Sequence, residues 1–436
     1  MLKPSDTQVS SLGRAVLLSP LNLSTVAGDG LGNYVPEAAR IRMQVEVHSG
    51  RDAPADVYFE KAGPRENVFF DPSRTRAAIV TCGGLCPGLN NVVRSAFLEL
   101  HFNYGVREVW GVRYGYEGLN PEYGHALWRL DPDLVSHIHE KGGTILGTSR
   151  GPQDTATIVN FLARERIDLL LCVGGDGTQR GANDIAQEAG RRGMPLAVVG
   201  IPKTIDNDIP FVYRSFGFMT AVDKARDILE AAHTEARSTR NGIGLVKIMG
   251  RNAGFIAAYA ALASQEVNFT LIPEVPFAIE GERGFLAALH RRIERRGHAL
   301  ILVAEGAGQD LLPQAAEQRD ASGNRIFGDI GLWLRDRIVD HFRRQRIPIG
   351  MKYFDPSYSI RSVPANCADS LLCDQFARHA VHAGMAGKTG VLIGTWHGVF
   401  THVPIATAVR KKKQVDPESE LWRGVLAASG QPKVMK

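Results

Sequence analysis

Leu-Ala-Val-Val at residues 196–199 runs directly into Gly-Ile-Pro-Lys-Thr-Ile-Asp-Asn-Asp-Ile-Pro at residues 200–210. The apolar tetrapeptide predicts a short buried strand, and the polar residues behind it place a lysine, a threonine and two aspartates within six positions. Such a density of charge is costly unless the charges are solvated, paired or used in chemistry. Because ligands of open α/β sheets bind outside the carboxyl ends of the strands, this stretch is predicted to belong to the functional site.

The same order of strand, loop and helix recurs from residue 76 onward, and a second α/β unit begins near residue 211. Strands are predicted at residues 77–80, 109–112, 168–173, 196–199, 245–249, 269–272, 300–304 and 391–394. Helices are predicted at residues 91–100, 133–141, 156–165, 179–190, 216–236, 255–263, 285–295, 330–345 and 369–386, with a polar connector at residues 352–366. Strands that alternate with helices indicate an α/β fold with a parallel sheet covered on both faces.

Residues 1–75 differ from this pattern and are interpreted as an N-terminal extension. Residues 1–34 are rich in Ser, Leu and Gly without a sustained period, which predicts an arm or a partly disordered segment. Residues 41–48 alternate apolar and polar side chains, which predicts a half-buried strand.

Composition limits the classes of function. The 436 residues suggest two or three domains, and a formal net charge of +5 is too small to indicate a nucleic-acid partner but suits an anionic substrate. Five scattered cysteines indicate a reducing compartment and not a disulfide framework. No run approaches the roughly 18 apolar residues of a membrane span, and no secretory signal is apparent, so we expect a soluble cytoplasmic protein. The basic run at residues 410–413 is interpreted as a solvated helix end.

Two glycine-rich loops follow predicted strands. In residues 83–90 the glycines allow backbone N–H groups to approach a phosphate, although such a loop is often only a turn. Residues 174–178, Gly-Gly-Asp-Gly-Thr, place the single carboxylate of Asp176 on a flat backbone surface. Since one or two carboxylates often hold Mg²⁺ on substrate phosphates, a metal and nucleotide site is favoured over a helix N-cap role for Asp176.

Charged residues at other strand and loop ends have two interpretations each. Arg150 and Arg251 either clamp a phosphoryl group or lie on the surface, and Glu305 either accepts a sugar hydroxyl or caps the next helix. Asp206 and Asp208, on an extended segment, would point the same way, so that one pKa is raised and that carboxylate can act as a base. The alternative is an Asx-turn ahead of a proline. Together, the loops favour phosphoryl transfer.

Five motifs in this chain resemble the 6-phosphofructokinase family. They are Gly83-Gly84 with Pro87-Gly88-Leu89-Asn90, Gly174-Gly175-Asp176-Gly177-Thr178, Pro202-Lys203-Thr204-Ile205-Asp206-Asn207-Asp208, Met249-Gly250-Arg251 and Tyr358-Ser359-Ile360-Arg361. They occur in the family's order from about residue 76 to the C-terminus. The N-terminal extension, Phe-Asp-Pro at residues 70–72 and residues 352–358 are most similar to the ATP-dependent kinetoplastid and plant branch.

The resemblance implies two Rossmann-like parallel-sheet domains with a cleft between them. The nucleotide-binding domain would comprise residues 76–210 with 363–400, and the sugar-phosphate-binding domain residues 211–362 with 401–436. Asp206 would be the general base that takes the proton from the sugar 1-hydroxyl, Asp176 the carboxylate associated with Mg²⁺, with Asp208 nearby, and Arg150 would steady the transferring phosphoryl group. The nucleotide side would be formed by Gly83, Tyr116, Arg150, Gly151, Gly175, Asp176, Gly177 and Thr178. The fructose 6-phosphate side would be formed by Thr204, Asp206, Asp208, Met249, Gly250, Arg251, Glu305, Lys352, Tyr358 and Arg361.

The phosphoryl donor is decided by Gly177 and Lys203. Family members that use pyrophosphate typically have Asp and Lys at these positions, whereas common bacterial ATP enzymes have Gly at both, so this chain is mixed. Gly177 leaves room for the α-phosphate of ATP, which an Asp side chain would occupy and repel, and Lys203 can coexist with ATP. We therefore expect an ATP-dependent 6-phosphofructokinase that uses Mg²⁺ and binds fructose 6-phosphate and ATP. The resemblance to the family further implies a homotetramer.

Three alternatives remain open from the sequence. They are a pyrophosphate-dependent enzyme on the same scaffold, an NAD or lipid kinase sharing Gly-Gly-Asp-Gly-Thr, and a catalytically silent regulatory subunit or metabolite sensor. The chain also departs from the common bacterial enzymes. Gly242 stands where they place an Arg from a neighbouring subunit, with Arg237 or Arg240 as possible substitutes, and Lys352 and Tyr358 replace an Arg and a His. A lysine gives a point charge in place of a planar fork, so phosphate recognition and regulation are expected to differ.

Overall fold

The computed structural model describes residues 2–46, 56–312 and 326–436, and the chain forms two compact units. The first unit comprises Met1–Thr204, Ile209–Gly217 and Val363–Lys411, and the second comprises Ile205–Asp208, Phe218–Ser362 and Lys412–Lys436. The N-terminal extension therefore lies with the first unit. Compared with the predicted domain bounds, residues 211–217 and 401–411 lie with the first unit and residues 205–208 with the second. The assignment of a nucleotide and a sugar phosphate to separate domains stays a prediction.

A mixed sheet forms the centre of the first unit. Within the described residues its nine strands have the order Arg40–Arg42, Tyr58–Lys61, Val399–Pro404, Val391–Trp396, Ala197–Pro202, Leu169–Gly174, Arg76–Thr81, Glu108–Val112 and Trp128–Arg129. The strands from Val391–Trp396 to Glu108–Val112 are parallel, and the pairings outside them are antiparallel. Every residue of Leu169–Gly174 and Ala197–Pro202 is buried, as expected for parallel strands covered on both faces.

The helices of the first unit in the described residues are Leu89–Leu98, Pro132–Val135, Thr155–Arg164, Asp176–Arg191, Cys367–Met385 and Ile405–Ala408. Short polar side chains, those of Asp131, Asp154 and Asn366, cap the start of three of them. Asp154 accepts from the Thr157 N–H at 2.7 Å, and this bond supports the first turn of Thr155–Arg164. The helix predicted at residues 133–141 is divided into Pro132–Val135 and the 3₁₀-helix Ile138–Glu140, and between them the Ser136 hydroxyl donates to the Asp133 carbonyl.

The N-terminal extension adds strands to the first unit. Ser10–Ser11 pairs with Lys388–Thr389, Leu17–Leu18 pairs with Asn67–Val68, and Tyr58–Lys61 extends the large sheet by pairing with Val399–Pro404. The described part of residues 1–34 thus contains paired strands, which the prediction of an arm or a partly disordered segment did not include. Of the strand predicted at residues 41–48, residues 41–42 fall within Arg40–Arg42, residues 43–46 lie outside that strand, and residues 47–48 lie outside the described residues.

The second unit is built on a smaller sheet that is wholly parallel in its described part. Its four strands have the order Phe269–Leu271, His298–Ala304, Gly242–Ile248 and Gly350–Phe354. Its helices are Phe218–Arg237, Phe255–Ser264, Phe285–Arg296, Ile330–Arg344 and Glu420–Ser429. Phe269, Phe285, Leu289, Ile301 and Leu334 are buried in the core between sheet and helices. None of the helices in the described part of the chain is long and apolar enough to span a membrane.

Among the described strands that were not predicted from the sequence, two show why the signal was weak. Gly350–Phe354, predicted in part as a polar connector, is an edge strand whose residues are only half buried or exposed, so its apolar signal is weak. Val399–Pro404 forms a hairpin with Val391–Trp396 through His397 and Gly398, whose φ angles are 48° and 77°. Two positive φ angles in a two-residue loop are typical of a type I′ turn.

A buried carboxylate holds the extension strand to this hairpin. Glu60 lies directly opposite His402 in the antiparallel register and accepts from its Nδ1 at 2.9 Å. The Nζ of Lys388 and a guanidinium nitrogen of Arg65 each lie 3.1 Å from the same carboxylate oxygen. Burial raises the pKa of Glu60, but the hydrogen bond from His402 and the nearby cations outweigh it and hold that pKa well below its ordinary value.

Replacement of Glu60 should destabilise the first unit. Glu60→Gln removes the buried charge shared by Arg65 and Lys388 and leaves them only the exposed carboxylate of Glu37, so the cost should lie toward the lower end of the roughly 3–5 kcal/mol for breaking a buried pair. Urea unfolding of the variant measures this loss. Glu230→Gln, which removes an exposed i,i+4 pair with Arg226, is the matched control and should cost below about 1 kcal/mol. Equal losses from the two variants would contradict the structural role assigned to Glu60.

Candidate functional site

Loops at the carboxyl ends of the central strands meet in the first unit. The Gly83 N–H donates to the Ser149 carbonyl at 3.1 Å, and the Thr148 hydroxyl donates to the Gly83 carbonyl at 2.7 Å. Lys203 joins two of these loops, since its backbone N–H donates to the Gly174 carbonyl at 3.0 Å and its ammonium donates to the Gly84 carbonyl. The predicted residues Gly83, Arg150, Gly151 and 174–178 therefore lie on connected loops.

The helix Asp176–Arg191 begins within the second glycine-rich motif. Gly175 occupies the N-cap position and Asp176 is the first helical residue, so the alternative N-cap interpretation of Asp176 is wrong. The Asp176 carboxylate instead lies 3.3 Å from Arg180. A Cβ added to Gly177 would meet no other heavy atom of the described residues within 4 Å. The start of this helix therefore combines backbone N–H groups, one carboxylate and open space, an arrangement that suits phosphate groups.

Buried polar side chains fix the first turn of this helix through hydrogen bonds. The Tyr116 hydroxyl donates to the Thr178 carbonyl at 2.7 Å, and its ring lies so close to Gly181 that a Cβ there would be 2.7 Å from it. The Gln179 side-chain amide donates to the carbonyls of Cys172, Gly174 and Ile201. Tyr116, predicted on the nucleotide side, thus supports the loop. Gln179 was missed because its partners are backbone atoms of two strands, which leave no trace in the sequence pattern.

The second unit brings several predicted residues around Asp206. The Arg251 N–H donates to a carboxylate oxygen of Asp206 at 3.4 Å. The Glu305 N–H donates to the Ile248 carbonyl at 2.8 Å, and the next N–H, of Gly306, donates to the Gly250 carbonyl at 3.1 Å. A Cβ on Gly306 would lie 2.0 Å from the Arg251 carbonyl oxygen, so only glycine allows the two loops to approach this closely.

Asp206 is a carboxylate with a pKa near neutrality. Burial raises its pKa to about 7, with additional repulsion from Asp208 and Glu305, while the Arg251 N–H and the charge of Lys412 oppose the rise. The predicted proximity of the two aspartates is confirmed. Their backbone is not the predicted extended segment, because Asp206 lies in a turn and Asn207 has a φ of 55°, in the left-handed region that asparagine tolerates.

Cations surround the neighbouring carboxylate, Glu305. Burial raises the pKa of Glu305, and the charges of Arg251, Lys247 and Arg361 oppose that rise. Lys247, inside an apolar strand, was missed in the sequence, and it pairs with Asp329 at 2.9 Å and Asp355 at 2.8 Å. The helix Ile330–Arg344 has Asp329 as its N-cap, so Glu305 does not cap it.

The remaining predicted residues of the second unit lie farther along the sheet edge. Lys352, on the edge strand, pairs with Glu235 at 3.5 Å. Tyr358 is 74% exposed, and the Arg361 guanidinium lies over its ring at 4.7 Å. Gly242 stands where the common bacterial enzymes have an arginine. In this chain a side chain is excluded there, because a Cβ would lie 2.0 Å from the Ala236 carbonyl oxygen.

The basic run at residues 410–413 follows the end of the helix Ile405–Ala408, and Arg410, Lys411 and Lys412 are exposed as predicted, whereas Lys413 is half buried. Arg410 pairs with Asp6 at 2.7 Å in the first unit. In the second unit Lys412 pairs with Asp208 at 3.0 Å, and the Nζ of Lys413 lies 5.1 Å from the centre of the Phe255 ring. Burial lowers the pKa of Lys413 to about 7, against the attraction of Asp208. Lys413 differs from the prediction because the residues that bury it, such as Phe255, are far away in sequence.

The described donor set suits a metal held mainly by its substrate. Across residues 2–46, 56–312 and 326–436, no group of three or more His, Cys, Asp or Glu side chains is placed to hold a metal ion. Asp176 offers hard oxygen ligands beside the open start of its helix. Mg²⁺ characteristically uses one or two carboxylates together with substrate phosphates, so the residues present fit that ion.

Comparison with known proteins gives concordant matches. The family model described as phosphofructokinase matches residues 76–384. The chain is 48% identical to the ATP-dependent 6-phosphofructokinase of Borreliella burgdorferi, over 99% of this chain and 98% of the relative. It is 46% identical to the ATP-dependent 6-phosphofructokinase of Amycolatopsis methanolica, over 98% of this chain and 95% of the relative. It is also 46% identical to ATP-dependent 6-phosphofructokinase 7 of Arabidopsis thaliana, over 90% of this chain and 80% of the relative.

Solved structures share the fold at lower identity. The pyrophosphate-dependent phosphofructokinase of Marinobacter aquaeolei superposes with a TM-score of 0.66 at 20% identity, covering 83% of this chain and 92% of that one. The Pichia pastoris phosphofructokinase in the T-state superposes with a TM-score of 0.65 at 21% identity, covering 81% of this chain and 37% of that one. These neighbours support the α/β fold class predicted from the sequence.

The raised pKa of Asp206 predicts a stabilising substitution. A carboxyl whose folded pKa is about 7 costs stability as the pH rises from the unfolded value of about 4 through 7, because its ionised form is disfavoured in the folded protein. Asp206→Asn should therefore raise the Tm at pH 8 by roughly 3–8 °C, and by less at pH 5. Thermal melts at both pH values measure this, with the exposed Asp336→Asn as the control that should change little. A lower Tm for Asp206→Asn at pH 8 would exclude the proposed charge repulsion.

Proposed function

The chain belongs to the phosphofructokinase family, and we propose that Asp206 is the general base of its reaction. The protein is an ATP-dependent 6-phosphofructokinase, which transfers a phosphoryl group from ATP to fructose 6-phosphate and forms fructose 1,6-bisphosphate. The observation that carries the proposal is the Asp206 carboxylate, whose pKa of about 7 lets it accept a proton at neutral pH. It would take the proton of the sugar 1-hydroxyl as that oxygen attacks the phosphoryl group.

The second unit is proposed to bind fructose 6-phosphate. The Arg251 N–H fixes one oxygen of the base, and the Arg251 guanidinium, over the Phe327 ring at 4.6 Å, supplies positive charge for the sugar phosphate. Glu305, among three cations, is suited to accept a sugar hydroxyl. The proposed set in this unit is Asp206, Asp208, Met249, Gly250, Arg251, Glu305, Lys352, Tyr358 and Arg361, and the family resemblance adds Thr204, which ends a segment of the first unit.

The first unit is proposed to bind ATP. The glycine loop at Gly83 and the start of the helix Asp176–Arg191 present backbone N–H groups for phosphates. Arg150, directly after the residue that bonds Gly83, would steady the transferring phosphoryl group. The full proposed set is Gly83, Tyr116, Arg150, Gly151, Gly175, Asp176, Gly177 and Thr178.

Mg²⁺ is proposed to bind at Asp176 together with the phosphates of ATP. When bound, the ion neutralises phosphate charge that builds up during transfer. The contribution of the chain is to hold the Asp176 carboxylate at the helix start, where the i,i+4 contact with Arg180 limits its movement.

The choice of ATP over pyrophosphate is attributed to Gly177. The relatives named as ATP-dependent are 46–48% identical, whereas the pyrophosphate-dependent neighbour, at 20% identity, carries only the fold. The open space at Gly177 leaves room for the α-phosphate, and the buried Lys203 is engaged with the Gly84 carbonyl. A homotetrameric assembly, a cytoplasmic location and allosteric control stay predictions.

Asp206→Asn tests the base. The variant should still bind fructose 6-phosphate but lose most of its turnover, by a factor on the order of 10² to 10⁴, because general-base assistance is removed. A coupled assay gives kcat, and ligand-dependent thermal shifts give binding. For the wild-type protein, kcat/KM should fall as the pH drops below about 7, where the carboxyl is protonated. A catalytically silent sensor would instead show no turnover to lose, and full activity of the variant would exclude Asp206 as the base.

Gly177→Asp tests the donor. The Cβ meets no described neighbour, so the variant should fold, but its carboxylate would occupy and repel the α-phosphate, and ATP use should be abolished. Gly177→Ala, which adds volume without charge, is the matched control. Parallel assays with ATP or pyrophosphate as sole donor report both rates. Unchanged ATP turnover in the Asp variant, or wild-type turnover with pyrophosphate alone, would overturn the donor assignment.

A further inference from the structure

Residues 412–415, named here the strap, bind three separate parts of the second unit. The Lys412 Nζ lies 3.0 Å from a carboxylate oxygen of Asp208, and the Lys413 N–H donates to the Asp208 carbonyl at 2.9 Å. The Gln414 side-chain amide donates to the Asn252 carbonyl at 3.0 Å, and the Val415 N–H donates to Glu274 at 2.8 Å. Every residue of the strap thus makes a hydrogen bond or an ion pair with a distant segment.

The partners of the strap adjoin the base and its neighbours. Asp208 is two residues from Asp206, and Asn252 directly follows Arg251, whose N–H donates to the Asp206 carboxylate. Glu274 also accepts from the Gly254 N–H, at 2.9 and 3.1 Å, just ahead of the helix Phe255–Ser264. The strap therefore connects the segment that carries Asp206 with the segment that carries Arg251.

Charge explains why a cation is needed at Lys412. The Asp206 carboxylate faces the like charges of Asp208 and Glu305, and the groups that oppose them are the Arg251 N–H and Lys412. An ion pair with Asp208 offsets that repulsion and fixes the direction of its side chain. Without it, the turn through Asn207 would hold two adjacent carboxylates with less compensation.

We propose that Lys412 is a positioning residue that, through Asp208, holds the Asp206 carboxylate against the Arg251 N–H in the orientation needed for proton removal. This inference rests on the proposed role of Asp206 as the base. Lys412 acts on the chemical step, so its loss lowers kcat more than it changes the KM for fructose 6-phosphate. Arginine can keep the ion pair, whereas a neutral side chain of similar length cannot.

The test measures kcat and KM for both substrates in Lys412→Met, Lys412→Arg and the control Lys411→Met. Lys412→Met should lower kcat at least about 10-fold with each KM within about 2-fold, while Lys412→Arg and Lys411→Met stay within about 2-fold of the wild type. Lys412→Gln replaces the methionine variant if that one does not fold. A kcat within about 2-fold for Lys412→Met, or a rise in KM alone, would overturn the proposal.

A double-mutant cycle with Asp208→Asn tests the route of the effect. If Lys412 acts through Asp208, Lys412→Met should change kcat by less than about 2-fold in the Asp208→Asn background. An equal loss in both backgrounds would contradict the route through Asp208. The base assignment itself is tested separately by Asp206→Asn, since failure of that variant to lose turnover would refute the proposed function whatever the Lys412 variants do.

Discussion

Three carboxylates, those of Asp206, Asp208 and Glu305, lie close together at the ends of parallel strands, and the loops around them offset their repulsion. The Arg251 N–H donates to Asp206, and Lys412 pairs with Asp208. The charges of Lys247 and the Arg251 guanidinium lower the free-energy cost of ionising the buried Glu305. Burial, with the repulsion from Asp208 and Glu305 that remains, raises the pKa of Asp206 to about 7. The buried, repelled carboxylate of Asp206 destabilises the fold locally, but it can gain and lose a proton at neutral pH.

Close backbone packing makes this arrangement possible. Gly306 lies against the Arg251 carbonyl, and Gly242 lies against the Ala236 carbonyl, at positions where any side chain would collide with backbone atoms. In the first unit, Lys203 and Gln179 satisfy backbone carbonyls at the ends of three strands. Buried polar groups of this kind fix loop positions, because each unsatisfied partner would be costly.

Much of the fold was predictable, since it depends on local patterns. The apolar runs marked the central strands, and the spacing of Asp206 and Asp208 anticipated their mutual effect on pKa. What escaped depends on contacts between distant residues. Gly350–Phe354 is recognisable as a strand only through its pairing with Gly242–Ile248, and Glu60 looks like a surface residue until His402 is placed opposite it. Lys413 was predicted to be solvated for the same reason.

The strap also imposes an order on the biosynthesis of the protein. Asp208 and Lys412 are separated by 204 positions, so the ribosome completes both sheets before it adds the cation that Asp208 requires. The smaller sheet, whose last strand ends at Phe354, can therefore pair while the acidic turn still lacks its cation. Pairing of that sheet and compensation of the acidic turn are thus separate steps in the synthesis of each molecule.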